Sequence, residues 1–314
     1  MGQHNQTITR EFVFLGFSRD RSTNACLFVV FLSVYLFTLA GNTLIIIAIR
    51  VDPRLNAPMY FFLSNLSFLD ICYTTSVAPQ LLVHLLTSHK IICFHCCMTQ
   101  LCVSLSLGGT EFILLAAMAY DRYVAVCHPL HYMVVMSRRL CIQFVLLSWT
   151  IGFLNGVVQT VFTVRLHFCG FNIINHFACE LLALIKIACT DTSANEISIL
   201  VTGVLILLIP CIVVMLSYVY IISAILRIRS SDGRQRAFST CTSHLTVVIL
   251  CYGTAIFAYL GPKGNISSNQ DKIVAVFYSV ITPILNPIIY SLRNKEVKAA
   301  LAKSVRNTIL LGGK

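Results

Sequence analysis

The chain has 314 residues, 57% hydrophobic and only 11% charged, with a formal net charge of +11 and a mean hydropathy of +0.81. A water-soluble domain of this length needs a mixed charged surface, and charges this sparse cannot supply one. That excludes a soluble globular enzyme and leaves one polytopic, all-α membrane domain.

Seven apolar runs follow in order: residues 25–49, 58–86, 93–126, 140–164, 197–228, 238–260 and 273–292. Each is long enough to cross ~30 Å of hydrocarbon, which takes about 20 helical residues. The expected architecture is a seven-transmembrane helix bundle over 25–292. It lies between an N-terminal segment, 1–24, and a tail, 293–314. Seven spans put the two ends on opposite sides of the bilayer, and basic residues decide which is which. One side carries fifteen Lys and Arg against four Asp and Glu, a net of +11, with Arg50, Arg138, Arg227 and Lys298 among them. The other carries eight against six, a net of +2. The basic side is therefore expected to be cytoplasmic and the N-terminus extracellular. The positive charge reflects membrane topology rather than nucleic-acid binding. The first ~24 residues lack the apolar core of a cleavable signal, so the first span is expected to direct insertion. Asn5-Gln6-Thr7 is a glycosylation sequon on the outer side, and Asn265-Ile266-Ser267 is a second in a short outer loop. Asn65-Leu66-Ser67 lies inside a span and is rejected.

In chain order, Asn42 follows Gly41 in span one and is expected to bond a neighbouring helix. Span two opens at Pro58, a favourable first helical residue. Asp70, twelve residues on, lies about 18 Å deep at 1.5 Å per residue, and Glu111 in span three lies roughly 21 Å below Cys97. Two carboxylates at one depth cannot both ionise cheaply. They share a proton, hold a cation, or are protonated and hydrogen-bonded to Asn42, a serine or Asn286. Cys93-Phe94-His95-Cys96 is a soft-ligand cluster able to hold Zn²⁺ or Cu⁺. Thiols without metal are expected, because no second Cys-x-x-Cys completes a site. Gly152 and Gly156 in span four allow close helix approach, expected within the bundle rather than at a dimer face. Pro210 is expected to kink span five. Residues 230–236 read as a short inner loop, and Pro287 weakens the ladder of span seven. Beyond it Lys295, Lys298 and Arg306 alternate with Val297, Leu301 and Val305, the pattern of a short membrane-lying amphipathic helix.

Span three ends in Met118-Ala119-Tyr120-Asp121-Arg122-Tyr123-Val124-Ala125-Val126-Cys127-His128-Pro129-Leu130. With Pro58-Met59-Tyr60-Phe61-Phe62-Leu63, Arg236-Ala237-Phe238-Ser239-Thr240-Cys241 and Pro283-Ile284-Leu285-Asn286-Pro287-Ile288-Ile289-Tyr290-Ser291, this resembles the odorant receptors among the rhodopsin-like G-protein-coupled receptors. The resemblance covers nearly the whole chain. Small departures are Asn56, where family members often carry His, and Cys93 and Cys96, where Ser and Gly are usual.

The resemblance implies an outer cavity for a small volatile odorant and an inner face that activates a heterotrimeric, cyclic-AMP-raising G protein. Arg122, paired with Asp121 and released on activation, would join the G-protein surface with Tyr123, and Tyr218, Asn286 and Tyr290 would serve as inner switch residues. It suggests sodium at Asp70 and Glu111. Four cysteines allow three pairings, and the resemblance selects Cys97–Cys179 and Cys169–Cys189. The cavity walls are expected in the outer halves of spans three (Ser104, Leu105, Gly108, Gly109), five (Thr202, Gly203, Ile206), six (Tyr252, Thr254, Ile256, Tyr259) and seven. No carboxylate is expected among them, which implies a neutral, mostly apolar ligand. A transporter would be expected to show half-chain repeats and an intramembrane metalloprotease His-Glu-x-x-His; the sequence contains neither, and no enzyme activity is expected.

Overall fold

A computed structural model of the protein describes residues 10–168, 172–260, 268–293 and 297–299. Among the described residues seven helices are long and apolar enough to cross a membrane. They are α1 (Arg21–Val51), α2 (Pro58–Leu86), α3 (Phe94–Cys127), α4 (Arg138–Val164), α5 (Ser193–Leu226), α6 (Ser231–Leu260) and α7, which runs through Ser268–Val276, Phe277–Ile281 and Thr282–Arg293. The expected spans are all present, and α2 has the expected bounds. The sequon at Asn5, the loop sequon at Asn265, Cys169 and the tail beyond Ala299 lie outside the described residues.

Several helices run past the apolar stretch because hydropathy marks the edge of the hydrocarbon, not the end of hydrogen bonding. Asp20 caps α1 through the Thr23 amide at 2.7 Å, so the helix begins four residues before Ala25. At α6 the difference is larger. Residues 231–236, expected as loop, are helical; Ser230 receives the Gly233 amide on its hydroxyl and the Arg234 amide on its carbonyl. Asp232 sits in the first turn, where a negative charge favours the helix.

Between the spans the bundle obeys the rule that backbone groups in lipid must find partners inside the protein. Pro287 has no N–H, which leaves the carbonyl of Pro283, four residues earlier, without its helical donor. Asn42 of α1 fills that gap: its Nδ2 donates to Pro283 O at 3.1 Å. The helices meet closely there, since a Cβ on Gly41 would touch the Pro287 ring at 3.1 Å. Gly152 and Gly156 serve α4 similarly. A Cβ on Gly152 would overlap Thr110, and one on Gly156 would overlap Ser106 and the Cys102 carbonyl. Both glycines are thus committed to α3. Outward-facing Phe37, Phe153 and Leu226 remain more than half exposed, as a lipid-facing surface requires.

At the outer end a three-stranded sheet has no counterpart in the sequence expectations. β1 (Glu11–Phe14) pairs antiparallel with β2 (Ile91–Cys93) and parallel with β3 (Ile173–Ile174). Phe12 and Phe14 are buried while Glu11 and Val13 face out, a period-two alternation readable in the residues. Lys272 of α7 donates to Gly16 O at 2.7 Å, and Lys90 to Ser18 O at 3.2 Å. These bonds tie the N-terminal segment over the bundle.

Because Asn42 is the donor that answers the Pro287 gap, Asn42→Ala should destabilise the bundle by about 1–3 kcal/mol, the cost of a buried carbonyl left unpaired. Asn65→Ala removes only a bond to the Asn65 helix's own Phe61 carbonyl and should be near neutral. Thermal unfolding of the detergent-purified variants checks the contrast.

Candidate ligand cavity and inner face

Beneath the outer loop a cavity of about 140 Å³ lies between α2, α3, α4, α5, α6 and α7, with Tyr73 and Val77 of α2 in its wall. That is on the scale of the roughly 150 Å³ apolar cavity known to take benzene. Its roof is the stretch His176–Leu181, fastened to α3 by a Cys97–Cys179 disulfide. Gln100 reinforces the fastening by accepting the Cys179 amide at 2.9 Å while donating to Ser76 O and Gln80 of α2.

Of the expected wall residues, Ser104, Leu105, Gly108 and Gly109 line the cavity, as do Thr202, Gly203, Ile206 and Tyr259. Tyr252, Thr254 and Ile256 do not. The Tyr252 hydroxyl donates to Phe112 O at 2.6 Å, and its ring packs on Phe112, which turns it into the α3–α6 seam. The two glycines also differ. A Cβ on Gly108 would meet nothing within 4 Å, whereas one on Gly109 would come within 3.2 Å of the Gly152 backbone. Gly108 therefore leaves open space, and Gly109 accommodates α4.

Two π-helical segments, Gly203–Leu208 in α5 and Phe277–Ile281 in α7, contribute Gly203, Ile206, Leu207, Tyr278 and Ser279 to the wall. The first ends two residues before Pro210, so the helix widens by a turn where the kink was expected. Such turns recur at functional sites because they re-aim side chains.

The expectation of a carboxylate-free wall is overturned: Glu111 and Glu180 both line the cavity. Glu180 comes from the loop, which the helix-by-helix reading of the walls left out. It caps the short helix Leu181–Lys186, accepting the Ala183 amide at 2.9 Å. Burial pushes its carboxyl up from 4.5 to about 7, against the lowering effect of the Ala183 and Leu182 amides. Burial likewise holds neighbouring His176 down, to about 4. Glu111 accepts from the Cys251 thiol at 3.2 Å. Sequence reasoning also missed Gln159 and Asn155 of α4, which line the cavity.

Deeper in the bundle, Asp70 accepts from Asn286 Nδ2 at 2.8 Å. Asp70 Oδ1, Asn286 Oδ1 and Asn42 Oδ1 are buried without a hydrogen-bond donor. The adjoining Asp70 and Asn286 oxygens are of the type a hard cation prefers. Among the described residues no group of three or more His, Cys, Asp and Glu could hold a metal ion.

At the inner end the expected Asp121–Arg122 ion pair is absent; of the two ion pairs among the described residues, neither involves Asp121. Successive helical residues do not face each other. Asp121 is fully buried and accepts from Tyr132 at 2.8 Å, a residue delivered by the turn after Pro129. Asp121 Oδ2 and Arg122 Nε have no partner. Tyr218 donates to Cys241 O at 3.1 Å and lies 2.8 Å from His244 Nδ1, joining α5 to α6. Tyr123 lies 3.2 Å from His128 and packs against Tyr220. The Tyr290 side chain lies outside the described residues. Cys93 and Cys96 are neither metal ligands nor free thiols: Cys93 caps α3, and the two, with Cα atoms 5.1 Å apart, form a disulfide. Residues three apart at a helix start share a face, which brings the two sulfurs together; the expectation of free thiols is thereby corrected to a disulfide. Cys189 is disulfide-bonded, and its expected partner, Cys169, is outside the described residues.

A family model described as "Olfactory receptor" matches residues 31–308. The chain is 55% identical over 303 residues to Olfactory receptor-like protein OLF3 of the dog, covering 96% of each chain. It is 54% identical to human Olfactory receptor 2F1 over 303 residues, again 96% of each, and 51% identical to human Olfactory receptor 2G3 over 314 residues, the full length of both. The fold is similar to the crystal structure of squid rhodopsin, with a TM-score of 0.71 at 15% identity, over 93% of this chain and 88% of that one.

The Glu180 shift has a readable sign. A carboxyl raised in the folded state contributes stability that is complete below about 4.5 and lost as pH rises through about 7. The melting temperature of the wild type minus that of Glu180→Gln should therefore fall between pH 4.5 and 8. Taking the difference cancels the opposing contribution of His176, and a flat difference would show that the carboxyl is not buried as described.

Proposed function

The chain belongs to the olfactory receptor family, and on that premise we propose that its outer cavity binds small, neutral, mostly apolar volatile molecules and that binding activates a cyclic-AMP-raising heterotrimeric G protein at the basic face. Members of this family are seven-helix signalling receptors of the plasma membrane, not enzymes. The observation that carries the ligand reading is the enclosed cavity itself. It is small, roofed by a disulfide-anchored loop, and mostly apolar in its walls. Its two carboxyls already have partners inside the protein. Glu180 is engaged as a helix cap and shifted toward neutrality, and Glu111 is bonded to Cys251.

The excess of basic residues on one side supports an N-terminus outside the cell, with the Asn5 sequon there, and a tail in the cytoplasm. Ligand signalling requires only that the ligand favour the state with an open inner face. Arg122, Tyr123, Tyr218, Asn286 and Tyr290 are the residues assigned to that change. Arg122 is suited to it because its guanidinium is not committed to Asp121. A sodium ion at Asp70, with Asn286 and Asn42 supplying further oxygens and Glu111 nearby, would hold the middle of the bundle in one state.

A cell-surface panel of alcohols, aldehydes, ketones and esters against matched primary amines, read as cyclic AMP, tests the reading. The neutral compounds should activate best; amines activating best would contradict it. Each added methylene should improve potency about fourfold until the cavity is full, from ~0.8 kcal/mol per buried CH₂. Gly108→Val should shorten the preferred chain, since its side chain enters open cavity. Arg122→Ala should reach the surface yet lose ligand-driven cyclic AMP; a wild-type response from it would remove Arg122 from the signalling role.

A further inference from the structure

Two disulfides stand side by side at the outer start of α3, and they differ in access and in the length of chain they close. Cys97–Cys179 is interior, with its cysteines 0% and 4% exposed. Its partners are 82 residues apart, and long loops gain most from a cross-link. Cys93–Cys96 joins residues only 3 apart, so it restrains the unfolded chain little. Cys96 is exposed and Cys93 half-buried. The two stand where Ser and Gly are usual in the family, and they depart from that pattern together.

Their position suits sulfur exchange. Cys93 ends β2 and is the N-cap of α3, where its Sγ accepts the Cys96 amide at 3.0 Å. A helix N-terminus favours negative charge, and thiols placed there form thiolates more readily than free cysteine does. Glu11 stands opposite Cys93 in the strand pair, but it faces solvent, where its charge is screened. The surrounding structure does not depend on the bond. β2 pairs with β1, the Phe94 amide donates to Arg10 O at 2.8 Å, and the Phe94 ring packs on Phe12 and Phe168. These contacts remain when the sulfurs part.

We propose that Cys93–Cys96 is a thiol-exchange site on the outer face, reactive toward small thiols of the cysteine and glutathione class. A thiolate attacks the exposed Cys96 Sγ and forms a mixed disulfide there. The electron pair of the broken S–S bond leaves on Cys93, as a thiolate held by the Cys96 amide. A second thiolate then attacks the small thiol's sulfur in the mixed disulfide and releases Cys96. Two small thiols are oxidised to their disulfide, the protein disulfide is reduced to a dithiol, and the two thiol protons end on Cys93 and Cys96. A leaving thiol that favours its thiolate speeds the first step. Cys97–Cys179 stays closed, so the roof of the cavity keeps its anchor. The site lies apart from the ligand cavity and needs only that this end of the bundle face outside the cell.

The test treats intact cells displaying the full-length receptor with graded glutathione, then with a membrane-impermeant maleimide, and reads each cysteine by peptide mass spectrometry. Cys93 and Cys96 should become labelled at a glutathione concentration at least about tenfold below that needed for Cys97 and Cys179, because reactivity follows access and thiolate character. Acid quenching during the exchange should trap glutathione on Cys96. Labelling of Cys93 and Cys96 without glutathione, an equal requirement for both pairs, or glutathione trapped on Cys93 instead would overturn the proposal. Purified receptor is run in parallel. Selective labelling there with none on intact cells would contradict the outward orientation and leave the exchange chemistry standing.

Discussion

Hydrocarbon cannot form hydrogen bonds, and the arrangement of this bundle follows from that constraint. A proline in α7 strips a donor from the carbonyl of Pro283, and an asparagine from α1 replaces it at 3.1 Å. Hydroxyls fold back onto their own helices, and glycines of α4 bring its backbone against Thr110 and Ser106 of α3. Such bonds hold the helices in register, because the apolar side chains are as comfortable in lipid as against one another.

Against this background the unmatched atoms acquire meaning. Seven of the twelve among the described residues fall at three depths: those of Ser104 and Gln159 in side chains around the cavity, the oxygens of Asp70, Asn286 and Asn42 in the middle, and Asp121 Oδ2 with Arg122 Nε near the inner end; Asn24, His84, Thr160, Asn195 and His244 hold the other five. A buried polar atom without a partner costs about 1–3 kcal/mol, so each is a site where an external partner gains the most. The three depths correspond to the ligand, the cation and the G protein of the proposed mechanism. The π-helical segments of α5 and α7 line the first level, and both helices continue to the inner end, so a shift at the cavity has a direct route inward.

Much of this was legible in the residues. Runs of about 20 apolar residues marked the spans, and Asn42 could be read as a bond to another helix because a lone amide in lipid has no other use. What escaped were contacts that depend on turns and loops. Tyr132 reaches Asp121 only through the turn after Pro129, and Glu180 reaches the cavity only because the outer loop folds back under its disulfide. Gln159 escaped for a different reason: its helix was read for glycine packing, and an isolated amide gives no sign of which way it faces. β1 carried its alternation openly, but a four-residue strand has weight only once its partners are known.

The measurement closest to the central claim, that the roofed cavity takes the ligand and the uncommitted Arg122 serves the inner face, is a cryo-electron-microscopy structure of the receptor with an activating neutral ligand and its G protein. The account predicts the ligand beneath the His176–Leu181 roof, and Arg122 turned toward the G protein. A ligand seated elsewhere, or Arg122 paired with Asp121 in that complex, would contradict it.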